Sequence, residues 1–138
     1  MRLFNINEKL INKNVSKYLI DWDKKSRSLP QWKTKQFLKP YWGGHICYEE
    51  FPVFGSLLKL DIYNATIKVG IEIQGPQHYV FNKHFHGNSP SNYLKQIKND
   101  ARKEQWCRLN NIRLIELRDL EVGQLSPEFL KTNFDLIL

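Results

Sequence analysis

The chain has little that would place it outside a cell or in a bilayer. Of its 138 residues only two are cysteines, Cys47 and Cys107, which is too few for the disulfide framework of a small secreted domain. No stretch approaches the about eighteen consecutive apolar residues that span a membrane. The start, MRLFNINEKL, lacks the apolar segment of a secretory signal. These absences predict an intracellular protein without a membrane partner. Acidic residues are scarce as well: 14 Asp and Glu stand against 21 Lys and Arg, a net charge of +7, with a pI near 9.4. Such an excess favours a polyanionic partner, nucleic acid before a membrane surface. Repeats, low-complexity tracts and linkers are missing, so residues 1–138 read as one domain with a single core.

What is present centres on Leu57 to His78. Two alternating, β-branched runs flank Asn64-Ala65-Thr66, a candidate tight turn. Paired about that turn, Leu58 faces Ile73, Leu60 faces Ile71 and Ile62 faces Val69, all on one apolar face. Lys59, Asp61, Gly70, Glu72 and Gln74 then share the other face. Asp61 and Glu72 become diagonal neighbours, about 7–8 Å apart at Cα. Two carboxylates held together repel unless a cation lies between them, and a hard divalent cation prefers carboxylate oxygens. Gly70 leaves room beside Asp61, and Gly75-Pro76 ends the strand so that Gln74 and His78 lie at the rim.

Around the hairpin, the spacing of Leu10, Ile11, Val15, Tyr18, Leu19 and Trp22 predicts a first helix capped by Asn5 or Asn7. A polar break at Asp23–Arg27 follows. Ser28-Leu29-Pro30 opens a helix over Leu29–Tyr41 with Trp32, Phe37 and Leu38 inward. His45–Val53 reads as a strand with Ile46, Tyr48 and Phe51 inward, ending or lying at an edge at Pro52. Tyr79 to Pro90 is a loop rich in His, Asn and aromatics. A helix over Pro90–Leu109 buries Tyr93, Leu94, Ile97, Ala101, Gln105 and Leu109, leaving Lys95, Lys98, Arg102 and Lys103 outside that arc as phosphate contacts. Ile112–Leu117 forms a last strand, and Ser126-Pro127-Glu128 opens a short terminal helix. From Leu29 the order is helix, three strands, helix, strand. Three antiparallel strands with a fourth added in parallel through a helical crossover give a mixed α/β sheet flanked by helices.

That order, with Asp61 on the second strand and Glu72-Ile73-Gln74 on the third, resembles the PD-(D/E)XK nuclease superfamily, the restriction-endonuclease-like fold. The segments EEFPVFGSLLKLDIYN, IEIQGPQHY, FNKHFHG and KNDARKEQWCRLNNIRLIEL are similar to small phage-type nucleases related to very-short-patch-repair and free-standing homing endonucleases. The resemblance covers about residues 28–118. It implies an αβββαβ core, here with an extra N-terminal helix and a short C-terminal one. It also implies Mg²⁺-dependent hydrolysis of DNA phosphodiesters, with Mn²⁺ as a substitute. Asp61, Glu72 and the carbonyl of Ile73 would be metal ligands, and His78 and His86 would protonate the leaving oxygen or contact phosphate. A phage-encoded member would act in the host cytoplasm.

Two positions depart from the superfamily pattern. The usual Lys is Gln74, which can orient a water but carries no charge, so Lys103, Lys98 or Lys59 would have to supply the cation. The acid often found on the first core helix is missing, and Glu49 or Glu50 on the following strand would replace it. Duplex DNA is the expected partner, with a homodimer if both strands are cut. The rival readings are a catalytically inactive nucleic-acid-binding module on the same fold, a branched-DNA resolvase and an RNA nuclease.

Overall fold

The computed structural model describes residues 1–75 and 90–138. The N-terminal segment is a hairpin and not the helix that Leu10 to Trp22 predicts. Strand β1 (Arg2–Phe4) pairs antiparallel with β2 (Leu10–Asn12), setting Leu3 opposite Ile11. Two asparagines decide the matter locally. The Asn5 side chain accepts the N–H groups of Asn7 and Lys9 at 2.9 and 3.0 Å, and Asn14 accepts that of Ser16 at 3.0 Å. Bonds of this kind hold the backbone in turns at the expense of a helical ladder. The apolar residues of the supposed stripe go separate ways. Val15 enters the core, Tyr18 ends a single 3₁₀ turn (Ser16–Tyr18) with its ring against Phe51, and Leu19 is exposed.

From Leu29 onward the expected order appears. It runs α1 (Leu29–Trp42), β3 (Cys47–Pro52), β4 (Lys59–Asn64), β5 (Val69–Gln74), α2 (Pro90–Leu109) and β6 (Arg113–Arg118). A 3₁₀ segment (Asp119–Gln124) and α3 (Pro127–Phe134) follow. Ser28 and Ser126 cap α1 and α3 by accepting the N–H groups of Gln31 and Phe129, and each helix has proline in its first turn. The sheet order is β3-β4-β5-β6, with the first three strands antiparallel and β6 parallel to β5. Pro52 closes β3 on the sheet edge, where a missing N–H costs nothing. The chain is thus mixed α/β.

The central hairpin departs from its expected register by two residues. Ile62 pairs with Ile71 and Asn64 with Val69, and the turn is Ala65–Lys68. Asn64 sets it, accepting the N–H groups of Thr66 and Ile67 at 3.0 and 3.3 Å, with Lys68 in the left-handed region at φ 55°. A shift of two keeps each side chain on its face. It brings Asp61 level with Glu72, one step beyond the Ile62–Ile71 pair, instead of onto the diagonal.

A single apolar face is not what forms. Leu60 packs with Tyr48, Phe51, Tyr63 and Ile112 beneath Trp106 and Cys107 of α2. Ile62, two residues on, packs with Ile71, Ile115 and Leu117 against Leu38 and Trp42 of α1 and Leu130 of α3. The alternation is interrupted between them, level with Glu50, which adopts φ 52° between the Glu49–Ile62 and Phe51–Leu60 pairs. Both faces of the sheet are therefore covered. Gly70 pairs with Tyr63, and a Cβ there would lie 3.2 Å from Leu60 Cδ1, so this glycine admits core packing and makes no space for Asp61.

Helix α2 also sits rotated from the arc its apolar residues suggest. Leu94 and Ile97 are exposed, as are Ala101 and Gln105, while Trp106 and Cys107 are buried. The face that meets the sheet must meet Glu72 as well as Leu60, so it carries a cation, Lys103, among its inward residues. Trp106 packs against Phe51 and donates its indole N–H to the Phe4 carbonyl at 2.8 Å. Ile46 precedes β3 and is exposed, contrary to its expected inward position. Trp106→Ala removes the largest side chain of this core and the tie to β1. It should cost about 3–5 kcal/mol in urea unfolding and speed amide exchange across the β1–β2 hairpin; unchanged exchange there would separate the hairpin from the core.

Candidate active site

The site begins on α1. Its inward face is polar: Gln31, Thr34 and Lys35 are buried beside Leu38 and Trp42. Lys35 is fully buried, although its sequence neighbourhood of lysines suggests a solvated face. Its Nζ donates to the Lys24 carbonyl and to Glu49 Oε1, the latter at 3.0 Å, and lies 5.3 Å from the Trp32 ring centre. Glu49 also accepts from the Ser26 hydroxyl. Gln31 Nε2 bridges Glu49 Oε2 and Glu50 Oε1, each at 3.0 Å. A buried ammonium is tolerated only with such partners. Glu49 and Glu50 are therefore held against α1, and neither is a loose strand-surface charge.

From Glu50 the network reaches the hairpin. Arg27 Nε lies 3.3 Å from Glu50 Oε1, and its Nη2 lies 3.4 Å from Asp61 Oδ1. Asp61 is buried, and its second oxygen accepts the Ile73 N–H at 2.8 Å. Burial pushes the Asp61 carboxyl above its ordinary range; the Ile73 bond, Arg27 and Lys103 act the other way, and Glu50 adds to the rise. Glu72 faces the same space from β5. Burial first, and then the charge of Asp61, push its carboxyl up to about 8, against the pull of Lys103. Lys103 Nζ stands 3.2 Å from Glu72 Oε2. The other oxygen, Oε1, is buried and has no hydrogen-bond partner among the described residues.

Of the residues singled out in the sequence, Asp61, Glu72, Ile73 and Gln74 do come together on adjacent strands, with Gln74 buried at the end of β5. Lys103 joins them, turned inward from α2, whereas Lys95, Lys98 and Arg102 are exposed along that helix. Lys59 is exposed at the start of β4. His78, His86 and the Tyr79–Ser89 loop lie outside the described residues. Among the described residues no three His, Cys, Asp or Glu side chains are grouped closely enough to hold a metal ion. A cation at Asp61 and Glu72 would complete its shell with backbone carbonyls, water or substrate oxygens, as Mg²⁺ commonly does. Arg27, Gln31 and Lys35 escape a reading based on apolar periodicity. Their signal is that Gln31, Thr34, Lys35, Leu38 and Trp42 keep helical spacing once polar residues are allowed on the inner face.

Comparison with known proteins adds relatives but no activity. No model of a protein family matches the chain, and no solved structure matches it. The chain is similar to uncharacterized protein 033L of Invertebrate iridescent virus 3, 39% identical over 77 residues, covering 55% of this chain and 39% of that protein. It is 40% identical over 60 residues to uncharacterized protein 307L of Invertebrate iridescent virus 6, covering 44% of this chain and 30% of the relative. It is 38% identical over 66 residues to uncharacterized protein 094L of Frog virus 3, covering 48% and 43%. The chain thus spans less than half the length of each curated relative. Among the described residues no helix is long and apolar enough to cross a membrane.

The two thiols do not belong to the site's chemistry. Cys47 and Cys107 are buried and free, and burial pushes each up to about 12. At pH 8 only about one in 10⁴ would be thiolate. Ellman's reagent should find no reactive thiol in the folded protein at pH 8 and two after unfolding in urea; rapid native modification would contradict this burial.

Proposed function

We propose that this chain is a metal-dependent DNA endonuclease of the restriction-endonuclease-like type, in the homing or repair-nicking group. The single observation that carries the reading is the buried Asp61–Glu72 pair with Lys103 against Glu72 and, among the described residues, no partner for Glu72 Oε1. A buried carboxylate oxygen with no donor is costly, and a Mg²⁺ or Mn²⁺ ion is the partner whose chemistry suits two acids at one level. Asp61 and Glu72 would hold the ion. Ile73 gives its N–H to Asp61, and the N–H and carbonyl of a strand residue share a side, so its carbonyl is the natural third ligand. When bound, the ion supplies Lewis-acid stabilisation of the phosphate and a more acidic water.

The chain's own groups have distinct tasks in this reading. Lys103 takes the place of the strand lysine that Gln74 replaces: it fixes one Glu72 oxygen and offsets the charge of the acid pair. Gln74, uncharged, orients a water. Lys95, Lys98 and Arg102, spaced three and four apart on α2, form one exposed stripe for phosphate contacts, which accords with the net charge of +7. Duplex DNA is the substrate, met inside an infected cell if the chain shares the viral source of its relatives. Cutting both strands would require a homodimer, whereas nicking would not.

Purified protein incubated with plasmid, single-stranded and four-way-junction DNA, in Mg²⁺, Mn²⁺ or EDTA, tests the proposal. Asp61→Asn and Glu72→Gln should each abolish metal-dependent cleavage, about a 10³-fold loss or more, and leave DNA binding intact. Tight binding with no cleavage by the unaltered protein would favour an inactive binding module, and symmetric cleavage of junctions a resolvase. Lys98→Ala should weaken binding to all sequences and lower the slope of log K against log salt by about 1; an unchanged slope would take α2 off the DNA.

A further inference from the structure

Each acid of the central pair is matched by one cation, and the two cations are not alike. Lys103 comes from the middle of a 20-residue helix, and its side chain is 15% exposed. Arg27 comes from the segment just before α1; its side chain is 72% exposed, and it reaches Asp61 at 3.4 Å. Lys103 is thus built into the protein interior, while Arg27 lies over the site from outside. Arg27 also has a second anchor, Glu50, at 3.3 Å through Nε. Gln31, buried on α1, holds that Glu50 oxygen from the other side. Arg27 can give up Asp61 and remain tied to Glu50.

We infer that Arg27 competes with a divalent ion for Asp61 and that the ion binds by displacing it. The inference rests on the metal-dependent reading above. The geometry supplies the rest. Asp61 has two oxygens; one is committed to the Ile73 N–H, so Oδ1 is the oxygen to which an ion can bind, and Oδ1 is the one that Arg27 contacts. The guanidinium and an ion compete for the same atom. Exposed ion pairs are weak, so the competition is a modest tax on metal affinity and not a block. Released from Asp61, the guanidinium stays at the mouth of the site on Glu50, where a phosphate oxygen would find a forked donor.

Calorimetric titration of Mn²⁺ into the full chain, at fixed ionic strength and without DNA, tests this. Four proteins are compared: unaltered, Arg27→Ala, Arg27→Lys and Asp61→Asn. Arg27 is exposed, so its variants should fold normally. Arg27→Ala should bind Mn²⁺ about fivefold tighter, as expected for loss of an exposed competing pair. Arg27→Lys should also bind tighter than the unaltered chain, because an ammonium keeps the charge but lacks the fork that spans Glu50 and Asp61. Asp61→Asn should lose binding. Equal affinity in Arg27→Ala and the unaltered chain overturns the displacement. So does an Arg27→Lys that matches the unaltered chain while Arg27→Ala is tighter, since Arg27 is then only a background charge. Asp61→Asn binding as well as the unaltered chain overturns the metal site itself, and the displacement with it.

Discussion

The bond from the Ile73 N–H to the Asp61 carboxylate is the constraint on which the centre of this protein depends. The β4–β5 ladder runs from Asn64–Val69 to Ile62–Ile71. One step further a side chain takes over the role of the backbone. That exchange holds an acid in the interior by giving it a donor, and it lets two strands part without leaving the Ile73 N–H unpaired. Glu72 then lies level with Asp61 with no comparable donor, among the described residues, for one of its oxygens. The asymmetry between the acids, one bonded to backbone and the other to the Lys103 ammonium, gives the pocket its chemical character.

Supporting such a pair requires protein on both sides of the sheet. The left-handed backbone at Glu50 interrupts the alternation of β3, and the two sides of the sheet acquire separate apolar clusters. One is roofed by α2, which also delivers Lys103. The other is roofed by α1, whose polar face carries Lys35 and Gln31 to Glu49 and Glu50. Lys35 and Lys103 are thus set by helices, Arg27 by the segment before α1, and the acids by strands. Their spacing follows from packing of the layers, not from any short run of sequence.

The order of elements from Leu29 to Arg118 was legible because helix and strand periods differ and because Ser-Pro starts and Asn or Gly stops mark the ends. Asp61, Glu72 and Gln74 were legible because they interrupt apolar strands. Three things were not. The N-terminal hairpin imitates helical spacing, and only the side-chain bonds of Asn5 and Asn14 reveal otherwise. The hairpin register hung on which residue closed the turn, and Asn64 moved it by two. Lys35 and Arg27 look like ordinary surface cations in sequence, and Lys103 stands there only as one of three candidates with Lys98 and Lys59, since nothing local distinguishes a lysine that meets a buried glutamate from one that meets water.

The tie between Trp106 and Phe4 has a consequence for how the chain comes into being. Phe4 gives its N–H to Asn110 at 2.7 Å and takes the Trp106 indole N–H at 2.8 Å. Beyond its pairing with β2, Phe4 therefore finds two partners more than a hundred residues away. As segments appear in order at a handful per second on a ribosome, β1 can pair with β2 and Ile6 can bond Phe54 early, but the bonds of Phe4 wait for α2. Docking of Phe4 on α2 is thus a contact of high sequence separation, of the kind that slows folding.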